Sequence, residues 1–445
     1  MKKVLILGAG MVVKPIVTYL LEKDFKVTVA TRTISKAISM IAGHPNGTPL
    51  SWTVDDKETL DKLIKEHDLT VSLLPYAYHV MVAKNCIKYK KNMVTTSYIK
   101  PEMLELDKEA KDADIIILNE VGLDPGIDHM SAMRIIDHVH DKGGSIEEFH
   151  SLCGALPAPE GCDNPFKYKF SWSPKGVVMA SNNGAKFLKK EEIFKVEPKD
   201  LFKNPLSTDF NEIGKLNIYP NRDSIPYIDI YKIPETKTMY RGTFRYEGWC
   251  ESLDAMKELK LITNDKYDFT GKTYADFIAM LIGANDSSNI KQKAADYLKI
   301  DVDSYAIKAI DWLGLFDDKP MNRNEDTPFE ITSDIMIEKM MIGQTERDMV
   351  AMQHVFLVSY PGGNKEIIKS RMLDFGTLST DTAIARTVAL PAAIAVEMIL
   401  ADKIPAKGVH IPVIREIYNP ILDQLESLNI KMIEEYGLPL SENIE

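Results

Sequence analysis

The stretch KVLILGAGMVVKP, residues 3–15, decides the fold of this 445-residue chain. Its apolar run VLIL predicts a buried strand, and the turn that follows directly carries Gly8 and Gly10. Where a strand runs through a turn into a helix, the first glycine permits the tight bend, and the second lets the backbone approach a pyrophosphate held on helical N–H groups. The third position of this pattern is Val13 rather than Gly or Ala. Residues 8–13 by themselves are therefore also compatible with a turn between strand and helix that contains glycine but binds no nucleotide.

The rest of the first 122 residues repeats the alternation of strand and helix. Apolar or β-branched runs predict six strands: VLIL (4–7), KVTVA (26–30), PLSWTV (49–54), LTVSLLP (69–75), NMVTTSY (92–98) and DIIILNEVG (114–122). Amphipathic segments separate them. One such segment runs from Asp55, the expected N-cap, to about His67, with Glu58 completing the cap. This alternation predicts an α/β fold with a doubly wound parallel sheet, the Rossmann arrangement, whose ligands bind beyond the carboxyl ends of the strands.

The pattern changes after Gly126. A helix is expected over residues 129–140, and residues 145–250 contain strand-like pieces separated by turn signals such as PAPEG and YPNRDS. These features predict a second, mixed domain with an antiparallel sheet. Residues 265–325 have three helical patterns and are interpreted as a small helical insertion. The Ala-rich residues 382–402 predict a long helix packed against both larger domains.

The second strand ends in Thr31-Arg32-Thr33, where a carboxylate is the usual residue. A site for NAD places Asp or Glu here to bind the ribose hydroxyls. A carboxylate repels a 2′-phosphate, whereas a guanidinium forms paired, charge-assisted hydrogen bonds with it. Arg32 therefore favours NADP, and the alternative is a solvated surface arginine.

Strands four to six end in LLPYAYH, TTSYIKP and NEVGLDPGIDH, which we expect on the same rim as the glycine turn. Ser97 and Tyr98 are candidates to bind cofactor or substrate. Asp124, in a Gly-Leu-Asp-Pro-Gly turn, is placed either to transfer a proton or only to cap the next helix. Further along the chain, Arg222 and Arg241 lie near aromatic residues and turns. They suit the binding of carboxylates, with ordinary salt bridges as the alternative.

The net charge of −11 argues against nucleic acid and anionic lipid as partners. Residues 1–13 resemble a signal peptide superficially, but Lys14 and Pro15 interrupt the apolar run. No apolar stretch of about 18 residues is evident, so no membrane-spanning segment is expected.

The cysteines and histidines form no metal-binding pattern. The four cysteines lack CxxC spacing and are expected to be reduced thiols of a cytoplasmic protein: Cys86, Cys153, Cys162 and Cys250. His129, His138 and His140 are close in sequence, but His138 and His140 do not share a helix face. We therefore expect no metal site.

Several blocks together resemble the saccharopine dehydrogenases that form glutamate, also called saccharopine reductases. The blocks extend over nearly the whole chain: GAGMVVKP, ATRT, SLLPYAYH, VTTSYIKPEM, NEVGLDPGIDHM, SLCGALPAPEGCDNPFKYKFSWSPKGV, YPNRDS, YRGTFRYEGW and EKMMIGQTERDMVAMQH. The resemblance implies three domains. These are an NADP-binding Rossmann domain of residues 1–125 plus about 388–445, an α+β substrate-binding and dimerisation domain of about 126–264 and 326–387, and a small helical domain of about 265–325.

The resemblance also implies the reaction. An imine between L-glutamate and 2-aminoadipate 6-semialdehyde is reduced with NADPH to saccharopine, reversibly, in lysine biosynthesis, and the enzyme is expected to be a cytoplasmic homodimer. Besides Gly8 of the fingerprint, the residues expected around NADP are Gly10, Met11, Val12, Thr31, Arg32, Thr33, Ser97, Leu123 and Asp124. Those expected around saccharopine are Ser97, Tyr98, Asp124, Arg222, Arg241, Gly242 and Thr243. Tyr98, Asp124 and Cys153 are the candidates for proton transfer or for orienting water.

Three alternatives remain open. The chain also resembles, in HMSAM and in the segment around REIYNPIL, the NAD-using enzyme that degrades lysine. A related branch reduces imines formed by diamines for polyamine synthesis, although the block from LPAPE to SWSPKG argues against it. A protein that senses nucleotides without catalysis is the third alternative, because fold does not imply function.

Overall fold

The computed structural model describes residues 1–210, 212–378 and 381–444. The chain forms two compact units. The first unit contains residues 1–145, 360–364 and 369–436, and the second contains residues 146–359, 365–368 and 437–445.

The strands, numbered in chain order, are β1 Lys3–Leu7, β2 Lys26–Thr31, β3 Gly47–Ser51, β4 Leu69–Ser72, β5 Asn92–Val94, β6 Ile116–Leu118, β7 Ser145–Pro157, β8 Ala185–Lys189, β9 Glu192–Val196, β10 Leu206–Phe210, β11 Gly214–Pro220, β12 Thr238–Tyr246, β13 Tyr267–Asp268, β14 Glu325–Asp326, β15 Asp348–Ser359, β16 Lys365–Phe375, β17 Gly408–His410 and β18 Ile433–Leu438.

The α-helices are α1 Lys14–Glu22, α2 Ile34–Ile41, α3 Lys57–Glu66, α4 His79–Lys88, α5 Pro101–Leu104, α6 Asp107–Asp112, α7 Ile127–Asp141, α8 Pro174–Ala180, α9 Pro226–Ile230, α10 Trp249–Glu258, α11 Tyr274–Ile282, α12 Ile290–Leu298, α13 Tyr305–Trp312, α14 Pro328–Met340, α15 Ala383–Leu400 and α16 Arg415–Ser427.

The sheet of the first unit is parallel and doubly wound, as predicted. Its strand order is β17-β6-β5-β4-β1-β2-β3. The order reverses between β1 and β4, and a ligand crevice lies beyond the carboxyl ends of the strands at such a switch point. The fold class predicted from the sequence is therefore confirmed.

The prediction of six strands was one strand short. The seventh, β17, comes from near the end of the chain and pairs in parallel with β6, Val409 opposite Ile117. A three-residue strand has no alternation long enough to stand out, so only the tertiary pairing reveals it.

The predicted N-cap of α3 was wrong by one residue. The Asp56 carboxylate, not that of Asp55, accepts a hydrogen bond from the Thr59 backbone N–H at 3.0 Å. Adjacent aspartates are equally good caps by residue type, and the backbone path chooses between them.

Helix α15 is the long Ala-rich helix that the sequence predicts. Among the described residues it is the one helix long and apolar enough to cross a membrane, with a mean hydropathy of 1.8, which the sequence analysis did not expect. Two thirds of it (67%) is buried within the protein. It packs against α1, α16 and β5, and Tyr19 of α1 donates a hydrogen bond to its Glu397. These contacts are those of a core helix in the first unit.

The second unit contains a mixed sheet with the strand order β10-β11-β12-β7-β15, and β8 pairs with β12 and β9. The pairs β10–β11, β11–β12 and β8–β9 are antiparallel, as expected, but β12 and β7 run parallel. The prediction of an antiparallel sheet was wrong for this pair, because long connections allow two strands distant in sequence to run the same way.

The helical segment of the second unit contains α11, α12 and α13, near the three predicted positions. Thr273 and Asp276 form a reciprocal capping box at the start of α11. In the structure, α7 and residues 369–387 belong to the first unit, whereas the predicted three-domain division placed them in the substrate domain. The three-domain division stays a prediction.

Candidate nucleotide and substrate sites

The glycine turn of the first unit is dictated partly by packing. Gly8 has a φ of +111°, and a Cβ there would lie 2.7 Å from the carbonyl oxygen of Leu73. The Gly8 N–H donates to the Ala30 carbonyl at 2.9 Å, which fixes the turn against β2. Any side chain at this position would push the turn away from β4.

Gly10 differs, because a Cβ there would meet nothing within 4 Å. The N–H groups of residues 9–12 donate to no protein acceptor within the described part of the chain. Met11 is 45% exposed, and Val12 is half-buried. Open space beside consecutive free N–H groups is what a pyrophosphate requires, so these residues fit a dinucleotide. The helix itself begins at Lys14, later than the sequence pattern suggests.

Arg32 follows the last residue of β2, at the predicted strand tip. Its side chain is exposed, and within the described ranges it has no hydrogen bond or ion pair with the protein. Thr31 is half-buried, and Thr33 precedes the first residue of α2. The guanidinium is therefore available to a phosphate group, which is the arrangement that favours NADP.

Ser97 follows β5 on the same rim and is held by a buried histidine. His79 lies between two serine hydroxyls, with Nδ1 2.8 Å from Ser72 Oγ and Nε2 2.8 Å from Ser97 Oγ. His79 is 4% exposed, and burial lowers its pKa to about 4. The imidazole is consequently neutral near pH 7, and it fixes the Ser97 hydroxyl. The sequence analysis quoted His79 within a motif but gave it no role.

Tyr98 and Asp124 lie together, as the convergence of strand ends predicts. The Tyr98 hydroxyl donates a short hydrogen bond to the Asp124 carboxylate. Both side chains are half-buried, and the neighbouring Leu123 is 4% exposed. A phenol and a carboxylate in contact can share a proton, which fits the predicted role in proton transfer.

A buried carboxylate braces this pair from behind. Glu120 is 3% exposed, and its two oxygens accept from the Ile99 backbone N–H at 2.7 Å and contact His129 Nε2 at 2.7 Å. Asp128 accepts from the Gly126 N–H at 2.6 Å. The loops that carry Tyr98 and Asp124 are thus tied to α7. Glu120, Asp128 and His129 all belong to the segment NEVGLDPGIDH, but their residue types alone did not indicate that Glu120 contacts His129 and the Ile99 N–H.

The predicted substrate residues are divided between the two units. In the second unit, Cys153 of β7 lies opposite Thr243 of β12, and Tyr219 of β11 lies opposite the same threonine. Opposed residues project to the same face of a sheet, so these three side chains share a face. Cys153 forms no disulfide and is 7% exposed.

Arg241 is buried and Arg222 is exposed. Arg241 is 2% exposed, and its guanidinium carbon lies 4.3 Å from the centroid of the Tyr227 ring. The Asn221 N–H donates to the Arg241 carbonyl at 2.8 Å, which ties the strand to the loop that carries Arg222. Arg222 adopts a φ of +58°, which is uncommon for a residue other than glycine.

Gly242 owes its identity to packing. A Cβ there would lie 2.5 Å from Ile218 Cγ2 and 2.9 Å from Leu152 Cδ2. The structure therefore explains this glycine without a ligand, although its role beside the substrate stays a prediction.

Arg245 is a further arginine that the sequence analysis left out. It is 5% exposed and is packed against the rings of Tyr168 and Trp249, at 4.9 and 5.3 Å from the centroids. Its Nη1 donates to the Phe244 carbonyl at 2.8 Å, and no carboxylate within the described residues pairs with it. Alternation along β12 places Arg241, Thr243 and Arg245 on one face. The only sequence signal was the second arginine of YRGTFRY.

Within residues 1–210, 212–378 and 381–444, no group of three or more His, Cys, Asp or Glu side chains is arranged to hold a metal ion. None of the four cysteines forms a disulfide within the described residues.

The fold and the site of the first unit define a nucleotide-binding protein of the Rossmann class. The open Gly10 turn fits a pyrophosphate, and the exposed Arg32 fits the phosphate that distinguishes NADP. Residues 4–118 match the family model described as the saccharopine dehydrogenase NADP binding domain. Residues 122–430 match that of the saccharopine dehydrogenase C-terminal domain. The chain belongs to the saccharopine dehydrogenase family.

Similar proteins extend over the full length of the chain. A Schizosaccharomyces pombe protein named saccharopine dehydrogenase [NADP(+), L-glutamate-forming] is 36% identical and covers 98% of this chain and 99% of its own length. The alpha-aminoadipic semialdehyde synthase of Bos taurus, named mitochondrial, is 38% identical, and the match covers 47% of that longer protein. The apo structure of the L-Glu-forming saccharopine dehydrogenase from Saccharomyces cerevisiae has a TM-score of 0.89 and 35% identity, and the match covers 98% of this chain and 100% of that one.

Proposed function

We propose that this protein is an NADP-dependent saccharopine dehydrogenase of the L-glutamate-forming type. It reduces the imine between L-glutamate and 2-aminoadipate 6-semialdehyde to saccharopine and also catalyses the reverse reaction. The observation that carries the proposal is the full-length similarity to fungal enzymes of that name, at 35–37% identity. A resemblance confined to the nucleotide-binding domain would support only the cofactor.

The cofactor is NADP, whose reduced form, NADPH, would supply the hydride that reduces the imine. In our proposal Gly8 shapes the turn, the backbone of Gly10, Met11 and Val12 holds the pyrophosphate, and Arg32 holds the 2′-phosphate between Thr31 and Thr33. The free N–H groups of residues 9–12 and the unpaired Arg32 guanidinium support this assignment. Ser97, Leu123 and Asp124 line the remainder of the cofactor site.

Saccharopine carries three carboxylates, so its site requires several cations. We assign this role to Arg222 and Arg241, with Gly242 and Thr243 beside them. The Arg241 guanidinium lies against the ring of Tyr227 in a cation–π contact, which orients this cation.

Formation of the imine releases water, so protons must move at the reacting carbon and nitrogen. We assign proton transfer or water orientation to Tyr98, Asp124 and Cys153. The contact between the Tyr98 hydroxyl and Asp124 supports a shared role for those two residues. Positioning contributes most of the rate acceleration, because an imine carbon accepts hydride readily once it is held in place.

The test is turnover of the purified protein with saccharopine and NADP, followed by the absorbance of the NADPH produced. We expect turnover that is faster with NADP than with NAD at equal concentration. A preference for NAD would instead support the lysine-degrading enzyme, and nucleotide binding without turnover would support a noncatalytic sensor.

We further propose that the enzyme acts as a cytoplasmic homodimer in lysine biosynthesis. Similarity to the saccharopine reductases supports the dimer and the pathway, and the four cysteines, none of which is disulfide-bonded, support a reducing compartment. Analytical ultracentrifugation of the purified protein tests the dimer, and the lysine requirement of a strain lacking the gene tests the pathway.

A further inference from the structure

The buried histidine behind Ser97 has a defined direction of hydrogen bonding. His79 is the first residue of α4, and its ring bridges Ser72 of β4 and Ser97 beyond β5. A neutral imidazole has one N–H donor and one acceptor nitrogen, so only two arrangements are possible. In one, Nδ1 carries the proton and donates to Ser72. In the other, Nε2 carries the proton and donates to Ser97.

Burial of Ser72 decides between these arrangements. Ser72 is 0% exposed, and within the described residues its hydroxyl contacts only His79. If Nδ1 donated to it, the Ser72 hydroxyl proton would be buried without an acceptor, which is costly. The Ser72 hydroxyl therefore donates to Nδ1, and Nε2–H donates to Ser97 Oγ. The Thr95 hydroxyl, at 3.4 Å from Nε2, is a more distant second acceptor.

This direction fixes what Ser97 can do. Its oxygen accepts from His79, so its own proton points elsewhere, and Ser97 is half-buried on the rim where the strands end. We propose that His79 is a positioning residue that fixes Ser97 as a hydrogen-bond donor to an oxygen acceptor of the bound ligand. The inference rests on the proposed function for the nature of that oxygen, which belongs either to the carboxamide of the nicotinamide or to a substrate carboxylate.

A double-mutant cycle tests the proposal. Ser97→Ala, His79→Asn and the double variant are compared with the unmodified protein, with the Kd for NADPH measured by fluorescence and the KM and kcat for saccharopine by turnover. We expect each single variant to raise the same constant, either the Kd for NADPH or the KM for saccharopine, by about tenfold, which is the effect of one hydrogen bond. The double variant should be no weaker than Ser97→Ala, because His79 acts through that hydroxyl.

The two possible acceptors of the Ser97 hydrogen bond, a carboxamide oxygen and a carboxylate oxygen, predict changes in different constants. A carboxamide acceptor changes the Kd for NADPH, whereas a carboxylate acceptor changes the KM for saccharopine. His79→Gln, whose amide N–H can replace Nε2–H, should recover part of the loss. Additive effects in the double variant, or no effect of Ser97→Ala on any of these quantities, would overturn the proposal.

A matched control exists in the same unit. His67 is 7% exposed, and its Nε2 lies 2.8 Å from the Thr28 hydroxyl, but it precedes β4 at the opposite end of the strands. His67→Asn should lower stability and leave the ligand constants unchanged. Nitrogen NMR of the histidine rings gives a readout independent of turnover: protonation at Nε2 of His79 supports the proposal, and protonation at Nδ1 contradicts it. If the protein does not turn over saccharopine, but the effects of Ser97→Ala and His79→Asn on the Kd for NADPH are still non-additive, the proposed function fails and the inference survives.

Discussion

At the scale of single residues, we propose that Arg32 selects NADP over NAD. It is exposed at the tip of β2 and has no partner within the described residues. We expect Arg32→Ala to raise the KM for NADP by about tenfold to a hundredfold, since a hydrogen bond to a charged group contributes about 1.5–3 kcal/mol. The KM for NAD should change little. Steady-state kinetics with both coenzymes measure the effect.

The control for Arg32 is Lys26→Ala. Lys26 is exposed at the opposite end of the same strand, so its removal changes the net charge equally without touching the rim. An equal loss of NADP affinity in both variants would mean that Arg32 acts only through overall charge.

We propose that Arg222 has the corresponding role in binding the substrate. We expect Arg222→Ala to raise the KM for saccharopine by about tenfold or more, because it removes a charge-assisted contact with a carboxylate. NADP affinity should be spared. Initial rates at varied saccharopine concentrations measure the change, and an unchanged KM would refute the assignment.

Lys232 provides a matched control for this variant. It is also an exposed cation of the second unit, and its φ of +56° is close to the +58° of Arg222. Lys232→Ala therefore imposes the same backbone effect and the same change of charge, and it should leave the KM for saccharopine unchanged.

At the scale of elements, the start of α3 shows that the sequence can predict the type of capping residue without predicting its position. The sequence predicts an aspartate cap, and the structure assigns it to Asp56 rather than Asp55. We expect Asp56→Ala to lower the urea midpoint of unfolding at pH 7 and Asp55→Ala to leave it nearly unchanged. Equal effects of the two substitutions would contradict the structural assignment.

The contribution of this cap to the free energy of unfolding depends on pH, and its direction follows from the pKa of Asp56. The hydrogen bond from Thr59 lowers the pKa of Asp56 below its ordinary value of 3.8. A lowered folded-state pKa means that the stabilisation is present above pH 3.8 and is lost as pH falls through the folded-state pKa. The difference in urea midpoint between the unmodified protein and Asp56→Ala should therefore be constant from pH 7 to about 5 and shrink below about 4.

Prediction at this scale succeeded where an apolar run or repeat was long, and it missed β17. Helices α11, α12, α13 and α15 lie close to their predicted positions because their apolar residues repeat over two turns or more. Strand β17 has three residues and carries no such repeat. Its place in the sheet depends on pairing with β6, residues that precede it by almost 300 positions in the chain.

At the scale of the whole molecule, the nucleotide-binding unit is built from both ends of the chain. Residues 1–145 are completed by residues 369–436, which supply α15, α16 and β17. Helix α15 buries side chains such as Leu390, Ile394 and Val396. Each large apolar side chain contributes about 1.5–3 kcal/mol when buried, so the amino-terminal part alone lacks much of its core.

We therefore expect a fragment of residues 1–145 to aggregate or to remain partly unfolded. Size-exclusion chromatography and the binding of a hydrophobic dye measure this outcome. A fusion of residues 1–145 to residues 369–436 is the control and should be more compact. A monomeric, cooperatively unfolding 1–145 fragment that binds NADPH would contradict the expectation.

Local sequence patterns were sufficient to predict the parallel sheet, the glycine turn and the cation at the tip of β2. These features depend on local rules. Strands and helices differ in the period of their apolar residues, and glycine is the residue type that readily adopts the φ of +111° at position 8. A residue at the carboxyl end of a strand faces the ligand crevice. The resemblance of its motifs to the saccharopine reductases added the reaction.

Only the tertiary structure decided how distant residues support one another. The Ser72–His79–Ser97 bridge, the Glu120–His129 brace and the aromatic surroundings of Arg245 join residues on different elements. A hydrogen bond or a ring contact depends on distances of a few ångströms. The period of the apolar residues specifies which face of an element a side chain occupies, but not which side chain of another element it contacts.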